Sequence, residues 1–135
     1  MGSDDFDGDH RSDLVLRDAG TGAVTFWLMN GATRVGSPIA LSGAATLPLN
    51  WSLAATGDFN HDSHPDLLWR NQTSQNLVIW TMGEGAPPTQ KTGSIVPSPA
   101  QAVDANWSVA AALDFSGDGL RDLLWYNSTS GKIVV

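Results

Sequence analysis

The feature that most constrains this chain is an internal repeat, and its clearest element is an acidic loop. Three such loops begin at Asp5, Asp58 and Asp114, so successive copies start 53 and 56 residues apart. Each loop carries oxygen-bearing side chains at its first, third, fifth and ninth positions, and an apolar run beginning with Leu follows. A repeat of this length cannot bury a hydrophobic face alone, so it is typical of arrays in which neighbouring units pack together.

Tryptophan positions repeat in the same register. Trp27 and Trp80 each lie 14 residues after the last Asp of their loops, and Trp51 and Trp107 each lie seven residues before the next loop. Agreement at this many positions indicates repeated units of one structure rather than repeated short motifs.

Each unit reads as four short strands. In the second unit, segments rich in β-branched and aromatic residues cover 51–57, 66–70, 77–82 and part of 89–96, and polar turn residues separate them. No segment has a 3.6-residue apolar period, so we expect essentially no helix. Four strands in about 50 residues are typical of a propeller blade. The predicted fold is therefore all-β, with β-propeller blades of four antiparallel strands.

The blades are expected to be incomplete within one chain. Residues 1–4 read as a leader, 5–57 as a first repeat lacking its first strand, 58–113 as a second repeat and 114–135 as a partial third. An array of two to three blades exposes strand edges and blade faces, whereas a ring closes them. We therefore expect the chain to associate with itself as a homo-oligomer that completes the ring.

The charge distribution narrows the classes of partner. The formal net charge is −7, which disfavours nucleic acid and anionic membrane surfaces, and no apolar run is long enough for membrane insertion. Ten of the 14 acidic residues lie in the three loops. Such crowding is repulsive unless a cation neutralises it. The chain has no cysteine, so disulfides and thiolate metal sites are excluded.

The loops are predicted calcium sites, because calcium takes six to eight oxygen ligands in irregular geometry. The candidate side-chain ligands are Asp5, Asp7, Asp9 and Asp13; Asp58, Asn60, Asp62 and Asp66; and Asp114, Ser116, Asp118 and Asp122. Backbone carbonyls of Arg11, His64 and Leu120, at the seventh position, are candidate further ligands. An EF-hand is excluded, because its twelfth position needs Glu and these loops have Leu16, Trp69 and Trp125 there.

Turn formation is the competing interpretation of the loops, since Asp, Asn and Gly favour turns without any metal. Three loops in register favour the metal. The second loop is expected to bind most weakly, because Asn60 replaces a carboxylate and His61 takes a position that suits Gly.

The tryptophans suggest a second kind of site. Trp51 and Trp107, with Asn50 and Asn106 beside them, are predicted at strand starts and could edge a groove between blades that binds carbohydrate or a protein ligand. The other tryptophans on strands are expected to pack in the core or between blades.

The segments Asp-Phe-(Asp/Asn/Ser)-x-Asp, Asp66-Leu-Leu-Trp-Arg-Asn71 and the later Trp-x-Met element resemble FG-GAP or VCBS repeats. These repeats occur in bacterial extracellular proteins and, more distantly, in the integrin α-chain propeller. The resemblance implies a propeller with calcium in the loop between first and second strands, an extracellular location in the parent protein, and a recognition or adhesion role without catalysis. His61 in place of the usual Gly, and Pro65 before Asp66, depart from the pattern.

The sequence therefore predicts a non-enzymatic, calcium-binding propeller repeat protein that acts as a recognition or adhesion scaffold and assembles into a ring. No nucleophile elbow, phosphate-binding Gly loop or paired-Glu arrangement indicates an enzyme. One alternative is a carbohydrate-binding lectin with sites at blade junctions. Another is an accessory module of a larger secreted enzyme, or an engineered fragment without independent function.

Overall fold

The structure is a computed structural model that describes residues 1–44, 46–83, 87, 89–97 and 103–135. The described residues form strands and turns and contain no helix. In chain order the strands are β1 (Gly2–Asp4), β2 (Asp13–Arg17), β3 (Val24–Asn30), β4 (Thr33–Ala40), β5 (Trp51–Gly57), β6 (Asp66–Asn71), β7 (Leu77–Gly83), β8 (Gln90–Ile95), β9 (Trp107–Leu113), β10 (Asp122–Asn127) and β11 (Ile133–Val134).

These strands form three antiparallel sheets in which chain neighbours pair. The first blade is β1–β4, the second is β5–β8, and the third has β9, β10 and β11. The predicted all-β fold of four-stranded antiparallel blades is confirmed, with the third sheet holding three strands. Each acidic loop connects the first strand of a blade to the second, as the sequence predicted.

One detail of the predicted organisation is wrong. The first blade does have a first strand: residues 2–4, read from sequence as part of a leader, form β1 and pair with β2 through Gly2↔Val15 and Asp4↔Asp13. The described part of the chain therefore has eleven strands. As predicted, residues 51–57 form the first strand of the second blade, β5, so each blade begins before the acidic loop at which the sequence repeat is counted.

The core lies where the first blade packs on the second. The first blade contributes Phe6, Val15, Val24 and Phe26, and the second contributes Leu67, Trp69, Trp80 and Met82, all of them buried. Successive residues of a strand point to opposite faces, so one face of each blade points forward along the chain and the other points back. We call these the leading face and the trailing face of a blade.

An arginine near the end of the second strand joins the first blade to the second, and another joins the second blade to the third. Arg17 of the first blade lies with its guanidinium carbon 5.3 Å from the ring centre of Trp69 in the second, and it donates hydrogen bonds to the carbonyls of Trp51 and Leu47. Arg70 repeats this arrangement one blade later, 5.4 Å from the ring of Trp125. Both arginines lie on leading faces.

No helix in the described part of the chain is long and apolar enough to span a membrane.

Candidate metal centre

The three acidic loops share one backbone cage, organised by the first-position carboxylate. Asp5 accepts hydrogen bonds from the backbone N–H groups of Gly8 (2.7 Å), Asp9 (3.1 Å) and His10 (2.8 Å). Asp58 and Asp114 accept the same three bonds, at 2.6 to 3.2 Å. One carboxylate thus holds the fourth, fifth and sixth residues of each loop in a tight turn.

This turn needs two residues in the left-handed region, at the fourth and sixth positions. The residues with positive φ there are Gly8 and His10, His61 and Ser63, and Gly117 and Gly119. Left-handed backbone is disfavoured for residues other than Gly. The second loop carries two such non-Gly residues, the first carries one and the third none. The strain predicted from sequence for His61 is therefore present, and the second loop has an additional strained residue at Ser63.

The ninth-position carboxylate ties the loop to the blade. Asp66 is fully buried and accepts the N–H of Phe59 in its own loop (3.0 Å) and the N–H of Met82 in the third strand (2.9 Å). Asp13 accepts the equivalent two bonds. Asp122 accepts two N–H groups of its own loop instead. These residues therefore have a structural role that the sequence analysis missed; the signal was their fixed distance of 16 residues from a Met in the first two repeats.

In the first loop the carboxylates converge as a cation site requires. Oxygen atoms of Asp5, Asp7 and Asp13 all lie within 4.8 Å of one another, and among the described residues no other acidic or His group of three meets this condition. Asp9, the fourth predicted ligand, pairs with Arg11 at 3.1 Å between Oδ2 and Nη1. The donor set of three carboxylates fits a hard divalent cation such as calcium.

The second and third loops have neutral oxygen donors at the third position, Asn60 and Ser116. Asn60 donates its side-chain N–H to Asp62 at 2.8 Å, which fixes its other atom, Oδ1, as an acceptor. The backbone N–H of the seventh-position residues Arg11, His64 and Leu120 bonds to the fifth-position carboxylate in each loop. Coordination by the carbonyls of those residues stays a prediction.

The pKa values of three loop carboxylates are shifted mainly by burial and by backbone hydrogen bonds. Burial raises the pKa of Asp7, with the negative charges of Asp13, Asp9 and Asp5 adding to it against one backbone hydrogen bond. Burial raises the pKa of Asp66 to about 6. Backbone hydrogen bonds from the third strand and from its own loop act in the opposite direction. The backbone hydrogen bond from Gly119 is the largest cause of a lowered pKa at Asp114. A nearby cation would stabilise the charged form of all three groups.

The second predicted site lies at the junction of the second and third blades. Trp51 and Trp107 both line a groove of about 770 Å³ there, together with apolar side chains of both blades. The equivalent cavity between the first and second blades measures about 130 Å³. Asn50 and Asn106 do not line the groove; their backbone carbonyls accept turn hydrogen bonds, from Gln72 in the first case and Ser128 in the second.

A family model described as FG-GAP-like repeat matches the chain twice, at residues 5–69 and at residues 58–125. The overlapping matches span most of the chain and include all three acidic loops. Neither the curated proteins nor the solved structures contain a significant match.

Proposed function

The chain belongs to the FG-GAP-like repeat family, and from this premise we propose that it is a non-enzymatic, calcium-binding β-propeller module. In this proposal the module assembles with further copies of itself into a ring. The ring acts as an extracellular recognition or adhesion scaffold. The observation that carries the calcium proposal is the convergence of Asp5, Asp7 and Asp13 within one backbone cage. The same cage in all three loops extends the proposal to loops two and three.

The proposed role of calcium is structural. Three carboxylates held within 4.8 Å of one another repel, and the cage that holds them links the first strand of the blade to the second. A bound dication offsets this repulsion and thereby stabilises the loop. Hydrogen bonds within the chain also stabilise the loop. The first-position carboxylate holds the turn, and the ninth-position carboxylate bonds the loop to the strands.

Asp7→Asn tests the calcium proposal most directly. Asp7 is exposed, and among the described residues its carboxylate accepts a hydrogen bond from the N–H of Asp9 alone, at 3.1 Å, so the amide should preserve the fold. We expect the variant to lose one calcium-binding event in isothermal titration and to lose part of the rise in melting temperature that calcium gives the parent chain. Its melting temperature in chelator should equal or exceed that of the parent, because one repulsive charge is gone.

Asp18→Asn is the matched control. It removes the same charge outside the loops, at a turn position where the other two repeats already carry Asn71 and Asn127. Calcium binding should be unchanged in this control. Equal calcium titrations for Asp7→Asn and the parent chain would overturn the assignment of the first loop.

Carbohydrate binding is a second candidate function, favoured by the groove between the second and third blades. Its two tryptophans, Trp51 and Trp107, give aromatic faces of the kind on which sugar rings stack, and its volume of about 770 Å³ suits a small glycan. A glycan array probed with the parent chain and with Trp107→Ala separates the two candidates. Loss of a specific glycan signal in the variant supports a lectin, and an array without signal leaves the scaffold alone.

A further inference from the structure

The two outer faces of the array differ from the faces that meet inside it. Among the described residues, no further blade covers the leading face of the third blade or the trailing face of the first. At two pairs of positions, the residues on these outer faces differ from those at the junction of the second and third blades, and each pair differs on both faces at once.

The first pair is the inter-blade arginine and its aromatic partner. At both internal junctions, Arg17 or Arg70 stacks on a tryptophan of the next blade. On the leading face of the third blade the arginine is replaced by Tyr126, and on the trailing face of the first blade the tryptophan is replaced by Leu16. An arginine facing a leucine would bury a guanidinium without its aromatic partner, whereas Tyr against Leu is an ordinary apolar contact.

The second pair lies beside the acidic loops. At the junction of the second and third blades, Gly57 meets the side chain of Arg121, and a Cβ at Gly57 would lie 2.8 Å from Arg121 Cγ. A small residue here faces a large one. On the outer faces Leu113 takes the position of Gly57 and Ser12 that of Arg121, so the large residue lies on the leading face instead; the junction of the first and second blades has Asp4 and Pro65 at these positions.

The outer leading face is also apolar enough to need a cover. Phe115, Ile133 and Val135 are 45%, 64% and 64% exposed. Their equivalents in the first blade are Phe6, Val24 and Phe26, which are buried against the second blade at 1%, 8% and 0%. The outer trailing face carries Leu14, Leu16, Trp27 and Met29, all only partly buried.

From these differences we infer that the third blade of one chain packs head-to-tail on the first blade of a second copy, with Tyr126 on Leu16 and Leu113 opposite Ser12. The inference rests on the proposed self-assembly and specifies its interface. Such a contact is heterologous, because each copy uses two different faces, and it therefore closes into rings or extends into filaments. The substituted pairs make this junction fit where an internal type of junction would leave a mismatch.

Exchange variants test the pairing. Tyr126→Arg alone and Leu16→Trp alone should each weaken self-association, by about tenfold in the dissociation constant, as expected for loss of a central apolar contact. The double variant Tyr126→Arg/Leu16→Trp recreates the internal junction and should recover association to within about threefold of the parent. Both replacements are residues that the other repeats carry at these positions, so each blade remains compatible with its fold.

Association is measured by sedimentation equilibrium at fixed calcium, and circular dichroism confirms folding of each variant. Leu113→Gly serves as a second probe of the face, with Leu49→Gly as its control, because Leu49 is 56% exposed on a turn before β5, away from both faces. Leu113→Gly should weaken association and Leu49→Gly should not.

Two outcomes would overturn the inference. If the chain self-associates but the double variant is no stronger than either single variant, the pairing is wrong, while the proposed ring and calcium loops stand. If the parent chain is a monomer at all concentrations, both the ring and this interface fail, and calcium titration still reports independently on the loops.

Discussion

Arg70 offers the sharpest test of how the blades are held together. Its side chain is 6% exposed, and its guanidinium donates hydrogen bonds to the backbone carbonyls of Trp107 and Asp104, the latter at 3.0 Å. The guanidinium carbon also lies 5.4 Å from the ring centre of Trp125. Arg70→Met keeps most of the aliphatic contact and removes the charged head.

The expected loss follows from these contacts. Each hydrogen bond from a charged donor contributes about 1.5–3 kcal/mol, and stacking on Trp contributes about 1–2 kcal/mol. Burial opposes this, since it lowers the pKa of Arg70 and so disfavours the charged form, and methionine escapes that cost. We therefore expect the free energy of unfolding to fall by about 2–4 kcal/mol. For a chain of this length, that corresponds to a fall of about 8–15 °C in melting temperature.

Arg34→Met provides the comparison. Arg34 is exposed and lies 5.1 Å from the ring of Trp27, so its loss should cost less than about 1 kcal/mol. Urea unfolding at one protein and one calcium concentration gives both values, because association would otherwise change the apparent stability. Equal losses in the two variants would refute the argument that the carbonyl hydrogen bonds of Arg70 hold the second and third blades together.

Three further predictions concern the loops and the strand beside them. Because the folded-state pKa of Asp66, about 6, lies above its ordinary value of 3.8, protonation stabilises the folded chain below about pH 4, and that contribution is lost as the pH rises through 6. In chelator, the free energy of unfolding should therefore rise by about 1–3 kcal/mol from pH 7 to pH 4.5, and Asp66→Asn should abolish this rise in urea titrations. His61→Gly should raise the free energy of unfolding by about 0.5–1 kcal/mol, because it removes the strain of a non-Gly residue at φ 65°. A lower free energy in urea unfolding would mean that contacts of the imidazole stabilise the fold by more than the strain destabilises it. Gly57→Ala should lower the free energy of unfolding by about 1–3 kcal/mol, because φ at Gly57 is 151° and a Cβ there would lie 2.8 Å from Arg121 Cγ. Gly31→Ala is the control: a Cβ at Gly31 meets no atom within 4 Å, so this variant should lose less stability in the same assay.

Most of the strands could be predicted because local pattern and turn chemistry agree with the fold. The predicted segments 51–57, 66–70 and 77–82 differ from β5, β6 and β7 by at most one residue at either end. Acidic loops and polar turns bound each of them, so the apolar runs had few possible registers.

The strand β1 was missed because its own residues carry little strand signal, although a strand precedes each of the other acidic loops. Gly2 and Ser3 have little strand propensity. Thr56 in β5 donates a hydrogen bond from Oγ1 to the carbonyl of Ser3 at 2.9 Å, and a Cβ at Gly2 would lie 2.9 Å from Thr56 Cγ2. Pairing with β2 and this close packing on β5 hold the strand in place where local propensity is low.

The candidate site was predicted as a set of positions, and its internal geometry was not. Spacing alone placed Asp5, Asp7, Asp9 and Asp13 around one centre. The structure brings three of them together and pairs Asp9 with Arg11. A salt bridge between residues two positions apart depends on the rotamers that the turn allows, and residue spacing does not specify these.

Because the ninth-position carboxylate bonds to both the loop and the third strand, a substitution there cannot separate calcium binding from the packing of the blades. The N–H of Met82 bonds to Asp66, while the side chain of Met82 lies fully buried at the junction with the first blade. An Asp66 variant would disturb the loop, the third strand and this junction together, so a fall in stability there would say little about a cation. Asp7 is exposed and bonds only within its loop. The calcium proposal is therefore tested through Asp7, and the packing of the blades is tested through Arg70.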